Sequence, residues 1–335
     1  MILVTGGTGL VGSHLLFSLT KAGKSVRAIY RNKSTISLVE KVFRYYTVDP
    51  KTLLNKIEWI NCDINDIATL HDAFKNIKHV YHCAALISFD PKNTKRLIKV
   101  NVEGTKNIVN LSIENKIEKI CHLSTIGTIG NSSDGSNVNE NTSFNSALAN
   151  VYALSKYEAE MEVWRGSQEG LKVIILNPGF IIGPGFWDKG SGKIFKTIFK
   201  GIKFYPPKGT GFVGVTDVTK SSIALMNSSI SNERYILVSE NLSYKEAFSN
   251  IAKALDKNPP KYLLKKWMLS ILWRLDWLKS FLMKSDRLLS QKMAQTIDIP
   301  IVYDSTKVEK SIKFKFEPIA NSIKFSTTIF FNETC

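Results

Sequence analysis

Three scarcities narrow the reading of this 335-residue chain before any motif is considered. No stretch of about 18 uncharged apolar residues occurs, which argues against a membrane span. Only four cysteines are present, Cys62, Cys83, Cys121 and Cys335, without C-x-x-C spacing, and three of them sit in or beside apolar strand-like runs. Free thiols in a reducing cytoplasm are therefore expected, and neither a metal site nor a disulfide. Arginine is the third scarcity: 8 of the 45 basic residues are Arg and the rest are Lys. The formal charge of +16 invites a nucleic-acid partner, but phosphate and base recognition recruits the bidentate guanidinium, so this lysine-rich balance argues against one. Met1 leads straight into a motif-bearing strand, which leaves no room for a signal peptide, and a cytoplasmic protein is the expectation.

What the chain does have is alternation. Short apolar runs at Ile2–Val4, Ser25–Tyr30, Ile57–Ile60, His79–His82, Lys119–Leu123 and Leu171–Leu176 are separated by stretches of helical spacing such as Val11–Ala22 and Thr94–Glu114. Strands joined by helix-length connections predict an α/β fold, a Rossmann-type doubly wound parallel sheet. After Pro178 glycine and proline punctuate the chain, which predicts a smaller C-terminal lobe. The division is residues 1–178 for the cofactor domain and 179–335 for the substrate lobe, with some strands and helices returning to the first. Residues 131–150 read as a long surface loop leading into a helix.

Directly after the first strand comes Thr5-Gly6-Gly7-Thr8-Gly9-Leu10-Val11-Gly12, opening an amphipathic segment. Glycines at this spacing permit a tight turn, close backbone approach to a pyrophosphate and tight helix-on-strand packing, with a helix N-terminus facing the phosphates. Gly6, Thr8, Gly9, Leu10 and Gly12 are thus candidate cofactor residues. The second strand ends in Tyr30-Arg31-Asn32-Lys33 without the acidic residue that would hold a ribose 2′-hydroxyl, so NADP(H) is preferred through Arg31, with NAD(H) open. A solvated loop position is the plain alternative for Arg31. Asp63 and Ile64 end the third strand, where an adenine amino group could be held, and Ala84 and Ala85 end the fourth, where small side chains let the backbone lie against a cofactor. Ordinary strand-end chemistry is the alternative for both.

Tyr152 and Lys156 are four residues apart and share a helix face. A phenol with a pKa near ~10 is a poor acid-base catalyst at neutral pH, and a neighbouring ammonium stabilises its phenolate. Such a pair can protonate a carbonyl oxygen as hydride arrives, or deprotonate an alcohol in reverse. Upstream, the fifth strand runs into Leu123-Ser124-Thr125-Ile126-Gly127, which puts hydroxyls at the C-terminal sheet edge where open α/β folds bind ligands. The sixth strand ends in Asn177-Pro178-Gly179, a candidate wall for a nicotinamide.

With these residues in place, the chain resembles the extended short-chain dehydrogenase/reductases, an NAD-dependent epimerase/dehydratase family. The signs are TGGTGLVG at Thr5–Gly12, HCAA at His82–Ala85, NVEGT at Asn101–Thr105, LSTIGTIG at Leu123–Gly130, YALSK at Tyr152–Lys156 and LNPGFIIGPG at Leu176–Gly185, in order over about residues 1–255. Within the family, Arg31 and the Ser-Thr-x-Gly-Thr edge are most similar to the dihydroflavonol-reductase-like branch, which reduces carbonyls with NADPH. The resemblance implies Tyr152 as general acid/base and Lys156 as its electrostatic partner and ribose contact. It also implies a polarising hydroxyl at Thr125, exchangeable with Ser124 by a one-place slip, and Asn101 as a support of the proton relay. The family often has Arg before the Pro-Gly and Tyr before the following Gly-Pro, where this chain has Asn177 and Ile182, so a charged contact there is in doubt.

Residues 261–284 form a Trp-rich basic segment. As a helix it gathers Trp267, Met268, Ile271, Leu275, Leu278 and Leu282 on one arc and Lys266, Ser270, Arg274, Lys279 and Lys284 on the other side. The leading expectation is a lobe helix whose arc packs on the core; a peripheral membrane contact, an oligomer contact and a lid stay open. Beyond Pro178 the only arginines are Arg234, Arg274 and Arg287, few for a sugar-nucleotide diphosphate. The expected activity is therefore an NADPH-dependent reductase or dehydrogenase that interconverts a carbonyl and an alcohol on an apolar small molecule, in a monomer or homodimer. A sugar-nucleotide epimerase or dehydratase with bound NAD is the enzymatic alternative, and a non-catalytic cofactor-sensing regulator the other.

Overall fold

The computed structural model describes residues 1–130, 137–283, 287 and 301–334; Cys335, Lys284 and the 131–136 part of the expected loop lie outside the described residues. Seven strands form the central sheet: β1 (Ile2–Thr5), β2 (Val26–Tyr30), β3 (Ile57–Asn61), β4 (His79–His82), β5 (Lys119–Leu123), β6 (Val173–Pro178) and, after three short strands of the second lobe, β10 (Glu233–Leu237). Their order is β10-β6-β5-β4-β1-β2-β3, and every pairing is parallel. Both faces are covered, which is why the strands read as near-continuous apolar runs. Along β1 the alternation sends Val4 to one core with Ala28, Tyr81, Ile174 and Tyr235, and Leu3 to the other with Ile29, Val80, Ile120 and Ile175. Each such fully buried aliphatic side chain contributes about 1.5–3 kcal/mol. The order reverses between β1 and β4, so the crevice at their C-terminal ends is where this topology binds ligands.

The expected helix over Thr94–Glu114 is broken in the middle. Helical turns at Thr94–Leu97 and Gly104–Glu114 flank a π-helical segment, Ile98–Glu103, and Thr105 Oγ1 donates to the Asn101 carbonyl at 2.5 Å. That widened turn carries Asn101 inward.

The expected surface loop before Val151 is partly buried. Val138 bridges to Tyr303, Glu140 Oε1 accepts from Ile236 N at 2.9 Å, and Ser305 Oγ accepts from Val238 N at 2.9 Å. These groups satisfy the open hydrogen-bonding side of β10, the sheet's edge strand. β10 begins with Glu233-Arg234 and has no clean apolar start, so its pattern is weak in the sequence.

The second lobe holds a three-stranded sheet of β7 (Phe180–Ile182), β9 (Gly209–Gly214) and β11 (Glu240–Ser243), with β9 central, antiparallel to β11 and parallel to β7. A pair formed by β8 (Phe204–Tyr205) and β12 (Tyr262–Leu263) lies beside it. Helices Gly192–Phe199, Tyr244–Ala254 and Ile319–Thr334 close a separate core around Phe195, Phe212, Phe248 and Phe330.

One expectation is reversed here. The Lys266–Met283 helix buries Leu269 and Ser280, and of the expected arc Met268 is half-buried while Trp267, Ile271, Leu275, Leu278 and Leu282 are exposed. Its inner face is polar as well as apolar, since Ser280 Oγ accepts from Lys92 Nζ at 3.3 Å, so the amphipathic pattern alone does not tell which side meets the protein.

Candidate active site

The glycine turn is a cradle that side chains would fill. Gly6 has φ +67°, and a Cβ there would lie 2.5 Å from Ala84 N and 2.6 Å from Cys83 C, while one at Gly12 would run into the Gly6 carbonyl oxygen. The Leu10–Lys21 helix starts at Gly9 with no side-chain cap, which leaves its first-turn N–H groups to an anion. Thr5 Oγ1 pairs with His82 Nδ1 at 2.7 Å and accepts from Ala84 N at 3.3 Å, tying the turn to the end of β4. Thr8 and Leu10 are half-buried at the crevice, Ala84 is half-buried and Ala85 exposed. These features fit the pyrophosphate of a dinucleotide. Gly179, on the far side, lets β6 and β9 approach closely: a Cβ there would strike the Gly211 carbonyl, and Pro178 before it is buried.

At the β2–β3 end, Arg31 and Asp63 are brought together, with Nη1 and Oδ2 3.8 Å apart and side chains 63% and 43% exposed. Asn32 caps the following turn through Ser34 N, and Asp63 Oδ1 accepts from Asn65 N at 2.9 Å. Ile64 is buried and packs so closely on Gly104 that a Cβ there would clash with its side chain.

Tyr152 and Lys156 lie on the Val151–Gln168 helix, whose first turn is capped by Asn150 Oδ1 accepting from Ala153 N at 2.9 Å. The Lys156 side chain is buried. Its Nζ donates to the Leu123 carbonyl at 2.8 Å and to His122 Nε2 at 3.3 Å, which leaves one of three N–H groups for a ligand. Burial lowers the ammonium to about 8, against the opposing pull of the nearby Glu160 carboxylate. Burial beside that cation also keeps the imidazoles neutral, His82 at about 3 and His122 well below the ordinary range. Tyr152 is half-buried, with its ring edge-on to Phe89 at 5.7 Å, and among the described residues nothing hydrogen-bonds its phenol. Desolvation raises that phenol to about 12, so it is protonated at neutral pH.

Ser124 and Thr125, interchangeable in the sequence, are separated by the structure. Ser124 is buried and its Oγ donates to Glu160 Oε2 at 2.8 Å. Thr125 is half-buried at the strand exit, where its Oγ1 accepts from Gly127 N at 3.2 Å and keeps its own proton to donate. Asn177 turns away from the crevice: its Nδ2 donates to Thr128 Oγ1 at 2.9 Å and Glu160 Oε2 at 3.1 Å. Asn101 does not reach Lys156 in any hydrogen bond; its side chain clasps Leu86 N and O at 2.7 and 3.0 Å and Ser155 Oγ at 2.9 Å.

The sequence reading passed over Glu160, His122 and Arg234. Glu160 is fully buried, takes Arg234 Nη1 at 3.2 Å on Oε1, and gathers Ser124, Thr128 and Asn177 on Oε2. Its signal was one further helical turn, Tyr152, Lys156 and Glu160 spaced four apart.

With this geometry established, similarity to other proteins can be placed. The model of the NAD dependent epimerase/dehydratase family matches residues 2–203. A putative dihydroflavonol 4-reductase of Synechocystis sp. is 30% identical over 283 residues, covering 81% of this chain and 77% of that protein. Sterol demethylase protein B of Methylococcus capsulatus is 27% identical over 242 residues, 71% of this chain and 69% of its own. The crystal structure of gox2253 superposes with a TM-score of 0.82 at 25% identity, over 100% of this chain and 98% of the other. The chain therefore belongs to the NAD dependent epimerase/dehydratase family and is an NAD(P)-dependent enzyme of the extended short-chain dehydrogenase/reductase type.

Proposed function

We propose that the enzyme interconverts a carbonyl and an alcohol on an apolar small molecule with NADP(H), Tyr152 acting as general acid in reduction and general base in oxidation. The observation that carries this reading is the contrast between Lys156, held by Leu123 O and His122, and Tyr152, whose phenol is half-buried, protonated and not taken by another described residue. Gly6, Thr8, Gly9, Leu10 and Gly12 would hold the pyrophosphate, Arg31 the 2′-phosphate, Asp63 and Ile64 the adenine edge, and Ala84, Ala85, Pro178 and Gly179 the nicotinamide end. When bound, the cofactor supplies or accepts the hydride. Thr125 donates a hydrogen bond to the substrate oxygen, Tyr152 gives that oxygen its phenolic proton, and Lys156 steadies the phenolate that remains while its third N–H meets the ribose. Asn101 braces the β4 exit against the catalytic helix. Residues 1–178 carry the cofactor work and the lobe beyond them the substrate.

An apolar substrate is supported by where the lobe's arginines are spent. Arg234 pairs with Glu160 and donates to the Glu140 carbonyl, Arg274 donates to Ser270 O and lies over the Trp273 ring, and Arg287 lies 3.9 Å from Asp90. Few strong donors are left for a diphosphate, which weighs against the epimerase alternative named by the family. Replacing Tyr152 with Phe is expected to lower turnover of a carbonyl panel by about 10²–10⁴-fold with cofactor affinity kept; wild-type turnover in Y152F overturns the reading. Protein that keeps NAD through gel filtration and converts a UDP-sugar would establish the epimerase instead.

A further inference from the structure

The Lys266–Met283 helix is amphipathic in the inverse sense. Leu269 and Ser280, on one helix face, are buried, with Trp273 and Asp276 half-buried between them. The opposite face carries Trp267, Ile271, Leu275, Leu278 and Leu282 at successive spacings of three and four, and exposure reaches 62% at Trp267, 54% at Leu275 and 70% at Leu282. A stripe of large apolar side chains turned outward is more than scattered surface hydrophobicity, because such contiguous patches mark interaction sites. Tyr262, Leu263 and Phe204, on the short strand pair that leads into the helix, are exposed as well.

Charge identifies the occupant. Residues 261–283 contain five cations, Lys261, Lys265, Lys266, Arg274 and Lys279, against one carboxylate, Asp276, which lies on the inner side. Helical geometry sets Arg274 and Lys279 along the two flanks of the stripe. An apolar face bordered by cations, with tryptophans among them, matches the boundary between acyl chains and anionic headgroups. No helix among the described residues is long and apolar enough to cross a membrane, so the contact is parallel to the surface.

We propose that the outward face of this helix docks on an anionic lipid bilayer. The helix is tied to the Tyr152 side from its inner face: Lys92 Nζ donates to Ser280 Oγ at 3.3 Å, Asp90 Oδ2 accepts from N of Arg287, beyond the helix, at 3.0 Å, and Phe89, next to Asp90 in sequence, meets the Tyr152 ring. The helix thus leans on the segment that packs against the catalytic tyrosine, and docking sets that side of the enzyme against a reservoir of apolar compounds.

The test is co-sedimentation of the full chain with vesicles of phosphatidylglycerol and phosphatidylcholine, without cofactor or substrate, so that its outcome is independent of the reductase reading. Binding is expected at low salt, weakened by added salt and by pure phosphatidylcholine. Leu275→Ser with Leu278→Ser, and separately Ile271→Ser with Leu282→Ser, should each lower partitioning by about tenfold or more. Lys279→Gln should lower it about fivefold on anionic vesicles only. None of these positions belongs to the proposed catalytic machinery or to the core, so circular dichroism and thermal unfolding should be unchanged and report that the variants fold. Absence of binding at low salt, or binding indifferent to both serine pairs, overturns the proposal. So does a concentration-dependent dimer that the serine pairs dissociate while vesicles are ignored, since the stripe would then belong to a second copy.

Discussion

On the β5–β6 side of the sheet edge, Lys156 and Glu160 are withdrawn from water, and among the described residues their polar partners are Leu123 O, His122, Ser124, Thr128, Asn177 and Arg234. On the β2–β3 side, Arg31 and Asp63 stand largely in solvent 3.8 Å apart. Both regions bring opposite charges together, Glu160 with Arg234 at 3.2 Å and Arg31 with Asp63. The difference is that burial makes the first pair expensive to disturb and rigid, while exposure makes the second weak and adjustable. On the proposed reading, an acid–base group needs the first arrangement, because its proton affinity must be set in advance, and a selector between two cofactors can use the second, since only a phosphate has to be noticed.

The comparison is tested most severely at Glu160. Replacing it with Ala takes the carboxylate from half-buried Arg234 and a shared acceptor from Ser124, Thr128 and Asn177 inside the core, which should cost about 3–5 kcal/mol in urea unfolding. Arg31→Ala should move the same measurement by about 0.5 kcal/mol or less. If the two variants unfold alike, the contrast between a locked and a loose edge fails.

Next in size is a pH effect. Lys156, lowered by burial to about 8, is a cation below that pH and neutral above it. Phenolate stabilisation by the ammonium should therefore be lost, and kcat/KM of the free enzyme should fall, as pH rises through about 8. The stability sign is opposite. The folded lysine titrates below its unfolded value of 10.5, so the penalty for burying its charge is present below about 8 and is relieved as pH rises towards 10.5. Glu160→Gln keeps the shape and removes the charge that supports the cation, so the alkaline limb should move to lower pH. An unmoved limb would show that the Glu160 charge does not act on Lys156 and that its part is confined to Arg234 and the hydroxyl and amide donors around it.

The two regions were also unequally legible. Gly6, Gly9 and Gly12 are readable because backbone approach demands glycine at fixed spacing, and Tyr152 and Lys156 because helix periodicity puts them on one face. Six central strands follow from short apolar runs, five of them buried on both sides, while β3 at the sheet edge is partly open to solvent. What was hidden depends on distant pairing: Glu160 becomes a hub only once β10 brings Arg234 beside it, and Asn177 turns inward for the same carboxylate. The difference between Ser124 and Thr125 is the pleat of a strand end, invisible without its neighbours. The Lys266–Met283 helix misled for a related reason, since periodicity gives a stripe but not its direction.

On the exposed side, Arg31→Ala should raise the KM for NADPH by about tenfold, one charge-assisted hydrogen bond, with that for NADH unchanged. Equal losses for both cofactors would remove Arg31 from the 2′-phosphate and leave it a solvated residue.

The smallest expected effect isolates Asp63. Its carboxylate lies 3.8 Å from Arg31 Nη1 and also accepts from Asn65 N, so one side chain does two things, turning the chain and facing a cation. Asp63→Asn keeps an acceptor for Asn65 and deletes the charge. Stability should then stay within about 0.5 kcal/mol, as for exposed pairs. If the carboxylate competes with a 2′-phosphate for Arg31, NADPH should bind about twofold more tightly, the size expected for one charge through solvent. NADH should not gain, and the gain for NADPH should vanish in the Arg31→Ala background. A gain that survives without Arg31 would mean that Asp63 repels the phosphate directly, and the weak pair would then carry no part of cofactor choice.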